Sequence, residues 1–156
     1  VLFRSSLAEV IKKTTGKDIT NYPGAGAAGG MGGGLLAFFN AELKPGTELL
    51  LKAIDFSEKI KGADLIITGE GKADQQTAMG KVPYGILKEA QKEHIPVIVL
   101  AGSIENLPEL NKAGFKGIFS IAPGPITLEK AMEPEFAKEN ITRLVSQLYS
   151  VITSFG

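Results

Sequence analysis

Three short apolar runs, Asp64–Thr68, Pro96–Ala101 and Gly117–Ala122, constrain this chain more than any other feature of it. Each run is continuous rather than alternating, as expected of strands buried on both faces of a parallel sheet. Parallel strands need crossovers, and helical stretches lie between the runs. Val82–Glu93 sets Val82, Ile86, Leu87 and Ala90 on one side, with Pro83 in the first turn where its missing amide does no harm. Pro108–Lys112 reads as a shorter helix stopped by Gly114. Beyond Pro134, residues Ala137, Ile141, Leu144, Val145, Leu148, Val151 and Ile152 recur at steps of three and four, which predicts a long amphipathic helix. The βαβαβα order predicts right-handed crossovers and a small three-layer α/β unit with a parallel sheet of at least three strands. A sheet this narrow leaves an apolar edge with unpaired amides, so further strands are expected from absent residues or from a second subunit.

Upstream of these runs the chain reads differently. Ser6-Leu7-Ala8-Glu9 has the form of a capping box, and Leu7, Val10, Ile11 and Thr14 then share one helical face until Gly16. The segment Gly24-Ala-Gly-Ala-Ala-Gly-Gly-Met-Gly-Gly-Gly34 leads into Leu35–Phe39, and Thr47 heads a further helix carrying Leu49, Leu50, Ala53 and Ile54. The expected division is therefore a helical, Gly-rich segment over residues 1–60 and an incomplete Rossmann-like α/β domain over 61–156. Phe38, Phe39, Phe115, Phe119 and Phe136 follow element periodicity and are expected in the core.

Composition narrows the function. Lys plus Arg and Asp plus Glu each number 17, so the net charge is zero, and no field holds nucleic acid or an anionic membrane nonspecifically. There is no cysteine, which removes disulfide scaffolds, zinc fingers, iron–sulfur sites and thiol nucleophiles together and makes the cytoplasm the expected compartment. The single histidine, His94, sits where a helix ends and is read as structural. No apolar run approaches the roughly 20 residues that cross a bilayer. The chain opens Val-Leu-Phe-Arg-Ser without an initiator methionine, as expected of one that starts inside a longer reading frame.

In open α/β sheets ligands bind at the carboxyl ends of the strands. The three strand exits here carry Thr68–Lys81, Gly102-Ser103, and Ser120 followed by Pro123-Gly-Pro125. The first is the richest. Glu70 and Asp74 offer carboxylates for Mg²⁺, Lys72 and Lys81 offer charge for phosphate oxygens, and Gly69, Gly71 and Gly80 let backbone amides approach an anion. That set suits phosphoryl transfer, which needs positioning and charge neutralisation more than a strong nucleophile. The plainer alternative is a solvated turn. No Walker loop exists, because neither Gly71-Lys72 nor Gly80-Lys81 has the required glycine five residues before its Gly-Lys pair, or the following Ser or Thr. Gly24, Gly26 and Gly29 spell a dinucleotide fingerprint, but Ile19–Tyr22 before them is a poor strand. Two readings of that segment stay open, an anion held by the amides of a helix N-terminus or a small-residue face for close helix packing.

Two of these stretches carry a resemblance. Tyr22-Pro-Gly-Ala-Gly-Ala-Ala-Gly-Gly-Met-Gly32 and Ile67-Thr-Gly-Glu-Gly-Lys-Ala-Asp-Gln-Gln-Thr-Ala-Met-Gly-Lys-Val-Pro83 resemble signature stretches of the bacterial glycerate kinase family, and Ala101-Gly102-Ser103 and Phe119-Ser120 are similar to its equivalents. The resemblance runs from about Leu7 to the C-terminus. It implies ATP-dependent phosphorylation of D-glycerate with Mg²⁺, in a longer enzyme of two α/β domains with the active site in the cleft between them. This chain resembles only the C-terminal part. The family's Pro-Asp-Ser-x-Lys, Asp-Gly-Gly-Glu-Gly-Thr and Gly-Gly-Ser-Ala-Thr-Asn-Asp-Gly-Gly motifs are absent, so the missing N-terminal segment is the expected partner and the chain alone is expected to be inactive. Glu70, Lys72, Asp74, Gln76, Thr77 and Lys81 fall on the signature. Glu70, Asp74 and Lys72 are the catalytic candidates, the first two also metal ligands. Gly24, Gly26, Gly29, Gly30, Gly69, Gly71, Gln76, Thr77, Gly80 and Lys81 are the candidate substrate and phosphate contacts. Lys72 stands where the family commonly has arginine, which keeps the charge and loses a bidentate clamp. The alternatives are a noncatalytic nucleotide-binding or assembly module and a kinase for another small hydroxy acid.

Overall fold

The structure is a computed structural model that describes residues 2–39 and 41–154. It gathers into two compact units that divide between Pro45 and Gly46.

The first unit contains helix α1 (Leu2–Thr15), a 3-10 turn at Ala27–Gly30 and helix α2 (Met31–Phe39). The chain is already helical upstream of Ser6, so the expected capping serine lies inside α1 rather than at its start. Ala8 and Ile11 are buried while Val10 is exposed, which turns the buried stripe by one position from the face expected. Gly16 ends the helix at φ +73°, with its amide donating to the Lys12 carbonyl at 3.0 Å. In α2 the buried residues are Gly32, Gly33 and Ala37. A Cβ on Gly32 would lie 2.6 Å from the Gly24 carbonyl oxygen, and one on Gly33 would lie 2.7 Å from Ile19 Cδ1. A helix that turns its small side inward turns its large side out. Phe38 and Phe39, expected in the core, are accordingly 60% and 76% exposed.

The second unit holds α3 (Gly46–Ala53), α4 (Phe56–Lys59), β1 (Ile66–Ala73), α5 (Val82–Lys92), β2 (Val97–Ile104), α6 (Leu107–Ala113), β3 (Gly117–Ser120), α7 (Leu128–Ala131) and α8 (Pro134–Thr153). Leu51 and Ile60 are buried in this unit, and Ile60 joins the core of the sheet. The strands form one parallel sheet in the order β1-β2-β3. Ile66 pairs with Val97 and Val99 with Ile118, so β2 is central. Val97, Val99 and Ala101 of β2 pack with Leu87 and Ala90 of α5 and with Leu110 and Phe115 around α6. Fully burying a side chain such as Leu87 or Leu110 contributes about 1.5–3 kcal/mol. Gly114 stops α6 in the left-handed region, as its position in the sequence implies.

Two of the three strands run further than their apolar runs. β1 continues through Gly69-Glu70-Gly71-Lys72 to Ala73, and β2 through Gly102-Ser103 to Ile104. The segment read as a loop is therefore half strand, with Glu70 opposite Ala101 and Lys72 opposite Ser103. Glycine is what permits this pairing, since a Cβ on Gly102 would lie 2.8 Å from the Gly71 carbonyl oxygen. α8 has the expected period, yet Ile141, Val151 and Ile152 on its apolar face stay exposed. Its one buried residue is Asn140, whose side-chain amide donates to the Phe136 carbonyl. Among the described residues no helix is long and apolar enough to cross a membrane.

Candidate functional site

The strand exits of the second unit hold a compact polar cluster. Glu70 and Lys72 lie on β1 opposite Ala101 and Ser103 of β2. Past the end of β1, Asp74 accepts the Gln76 amide on Oδ1 at 2.9 Å, and the Asp74 carbonyl accepts the Thr77 amide at 2.9 Å. This Asx turn starts the 3-10 turn Thr77–Met79. Gly80 then takes φ +129°, a conformation that favours glycine, and delivers Lys81 to the N-cap of α5. Pro83 occupies the first turn of α5 as expected.

Lys81 joins the two carboxylates. Its Nζ lies 3.3 Å from Asp74 Oδ1 and 3.6 Å from Glu70 Oε2. The Glu70 and Asp74 side chains are 13% and 21% exposed, so both ion pairs are more shielded than an ordinary surface pair. Partial burial pushes the Asp74 carboxyl upward, but the Lys81 ammonium and the amides of Gln76 and Thr77 outweigh it and hold the group below the usual carboxylate range. Thr77 is fully buried. Its hydroxyl donates to Glu70 Oε1 and accepts the Asp74 amide at 3.0 Å.

The expected residues separate into groups. Glu70, Asp74, Thr77 and Lys81 come together. Lys72 pairs instead with Glu105, Nζ to Oε1 at 2.8 Å, and that carboxylate raises the lysine's pKa through its hydrogen bond and its charge. Glu105 belongs to no sequence motif, although it follows the second strand exit and its amide donates to the Ala73 carbonyl at 2.8 Å. Gln76 contributes its amide to the Asx turn and keeps an exposed residue position. Gly69 pairs with Leu100, and Gly71 lies within β1. Ser120 caps the chain after β3, its Oγ accepting the Ala122 amide at 3.1 Å.

The glycine-rich segment belongs to the first unit. Gly24, Gly29 and Gly30 adopt positive φ of 86°, 72° and 102°. The Ala27 amide donates to the Gly24 carbonyl and the Gly33 amide to the Ala25 carbonyl, both at 2.9 Å. A groove of about 190 Å³ runs beside it, lined by Leu7, Ala8, Ile19, Ala25, Gly26 and Gly30 among others. The small-residue packing read as one possibility for this segment is thus realised at Gly32 and Gly33.

Among the described residues no group of three or more His, Cys, Asp and Glu side chains could hold a metal by itself. Two carboxylates nevertheless fit Mg²⁺, which takes one or two carboxylates and completes its shell with water and substrate phosphate oxygens. Lys81 and the N-terminus of α5 add positive charge on the same side, so the cluster accommodates an anion more readily than its two carboxylates alone would.

A parallel sheet with helices between its strands and charged side chains at its strand exits defines the class of open-sheet α/β proteins, whose ligands bind at the carboxyl ends of the strands. The match is more specific than the class: the model of the glycerate kinase family covers residues 4–153, and the chain belongs to that family. It is 46% identical over 127 residues to the glycerate kinase of Halalkalibacterium halodurans, covering 81% of this chain and 33% of that one. It is 44% identical over 140 residues to the glycerate 2-kinase of Escherichia coli, covering 89% and 36%. The crystal structure of a Salmonella typhimurium LT2 protein assigned as glycerate kinase 2 superposes with a TM-score of 0.68 at 33% identity, over 96% of this chain and 37% of that one. The chain spans about one third of the length of these relatives.

Proposed function

We propose that this chain supplies the strand-exit part of a glycerate kinase site, in which the γ-phosphate of ATP passes to a hydroxyl of D-glycerate with Mg²⁺ present. The observation that carries the reading is Lys81 Nζ held between Asp74 and Glu70 at 3.3 and 3.6 Å, at the carboxyl end of the sheet. In the reaction Lys81 leaves the carboxylates to neutralise phosphate oxygens, and Glu70 and Asp74 hold the metal directly or through water. The metal supplies neutralisation of phosphate charge. Lys72 balances the substrate carboxylate or a phosphate once it exchanges Glu105 for the ligand. The glycine-rich first unit belongs to a second domain of the complete enzyme, and Gly24 to Gly30 hold an anionic group there. The absence of cysteine supports a cytoplasmic setting.

The test is glycerate-dependent ADP formation. The 156-residue chain alone is expected to show none, and turnover is expected when it is joined to the two thirds of the Halalkalibacterium halodurans glycerate kinase that it does not match. In that fusion Glu70→Gln and Asp74→Asn should each lower kcat by more than about tenfold, the loss expected when charged groups acting on a phosphoryl transition state are removed. Losses smaller than this in both variants remove the assigned roles. The exposed apolar face of α8 favours a second reading, an assembly module without catalysis. That reading requires self-association without nucleotide affinity. Turnover of another hydroxy acid in place of glycerate would redirect the substrate and leave the site.

A further inference from the structure

We propose that Thr77 is a positioning residue that sets the orientation of the carboxylate pair, rather than a phosphate ligand; the inference rests on the strand-exit cluster being the functional site. A threonine hydroxyl has one proton and two lone pairs. Here the proton goes to Glu70 Oε1 and a lone pair takes the Asp74 amide. With the side chain fully buried, none of that capacity points to solvent, where a ligand would arrive. The contacts close a ring from Glu70 to Thr77, to the backbone of Asp74, through the Asp74 carboxylate to Lys81, and back to Glu70. Within the ring the two oxygens of Glu70 are divided, Oε1 to Thr77 and Oε2 toward Lys81. A glutamate has three rotatable side-chain bonds, and the buried hydroxyl fixes which oxygen is presented to the cation. It ties β1, which carries Glu70, to the turn that carries Asp74.

The test uses the 156-residue chain and replaces Thr77 by valine, which keeps the shape and removes the hydroxyl, and by serine, which keeps the hydroxyl. Hydrogen exchange at the Asp74 amide, followed by NMR, should accelerate at least about tenfold in Thr77→Val while Val99 in central β2 stays protected, because a local acceptor has been lost rather than the fold. Thr77→Ser should recover most of the protection. Mg·ATP titrations of the wild type, Thr77→Val, Glu70→Gln and the double variant, each carried in the fusion described above, then ask whether Thr77 acts through Glu70. The double variant should bind within about twofold of Glu70→Gln alone, since a residue working only through another adds nothing once that one is removed. Unchanged Asp74 exchange in Thr77→Val, or losses that multiply in the double variant, overturn the inference. Absence of Mg·ATP binding by the wild type counts against the functional reading instead, and the exchange measurement still decides the role of Thr77.

Discussion

Replacing Gly102 by alanine tests the strand pairing that aligns the site. The new Cβ would lie 2.8 Å from the Gly71 carbonyl oxygen, where ordinary contact begins near 3.4 Å. The strands must therefore part by about 0.6 Å at a backbone atom that has no rotamer to escape into. Overpacking of this kind costs about 1–3 kcal/mol. Alanine also restricts the unfolded chain, which returns about 0.4–1 kcal/mol, so the net loss lies between about 0 and 2.6 kcal/mol, centred on about 1.3 kcal/mol. Gly71→Ala is the matched control from the facing strand. Its Cβ would meet nothing within 4 Å, so only the unfolded-state gain of about 0.4–1 kcal/mol applies. Urea unfolding followed by circular dichroism should place the two midpoints about 1 M apart, given a slope of about 1–3 kcal/mol per molar. Equal stability of the two variants would mean that the exits do not pair and that Glu70 and Lys72 ride on a loose loop.

The other expectations are independent of that pairing. Leu110→Ala, at a fully buried position, should lower unfolding free energy by about 2–5 kcal/mol, and a loss under about 1 kcal/mol would contradict the packing of α6. Gly32→Ala should destabilise the first unit because its Cβ meets the Gly24 carbonyl oxygen at 2.6 Å, whereas Gly34→Ala, with nothing within 4 Å, should raise α2 helicity; the reverse order in thermal melts would refute the close packing. The Asp74 carboxyl is lower in the folded chain than in the unfolded one, so its contribution to stability is present above roughly pH 4, the ordinary value, and is lost as pH falls through the folded value. Carbon-13 titration of Lys81→Met should move Asp74 upward toward the ordinary range, and an unmoved titration would show that the ammonium is not its main charged partner.

How far the fold was legible follows from which forces act locally. The apolar runs of β1 to β3, the proline in the first turn of α5 and the Gly114 stop all depend on near neighbours in the chain, and each lies where its residues point. The extension of β1 to Ala73 does not. Gly69, Gly71 and Gly102 carry weak strand preference on their own, and only the approach of the two exits holds them within strands. The misplacement of Phe38 and Phe39 has the same origin, since hydrophobicity says that a residue prefers to be covered but not which side of α2 its neighbours can approach. At the site, residue type revealed Glu70, Asp74 and Lys81 as a charged group. The pairing of Lys72 with Glu105 and the buried hydroxyl of Thr77 depend on strand register and on a turn, neither of which has a compositional signal.

Because Glu70 rides on a paired strand, the length of the chain between Thr68 and Ala73 matters more than its spelling. Adding or deleting a single residue between Thr68 and Glu70 would carry the Glu70 side chain to the opposite surface of the sheet, away from Lys81, even though every amino acid of the group was retained. Substitutions in this stretch can be absorbed one contact at a time, whereas a change of count undoes the whole arrangement at once.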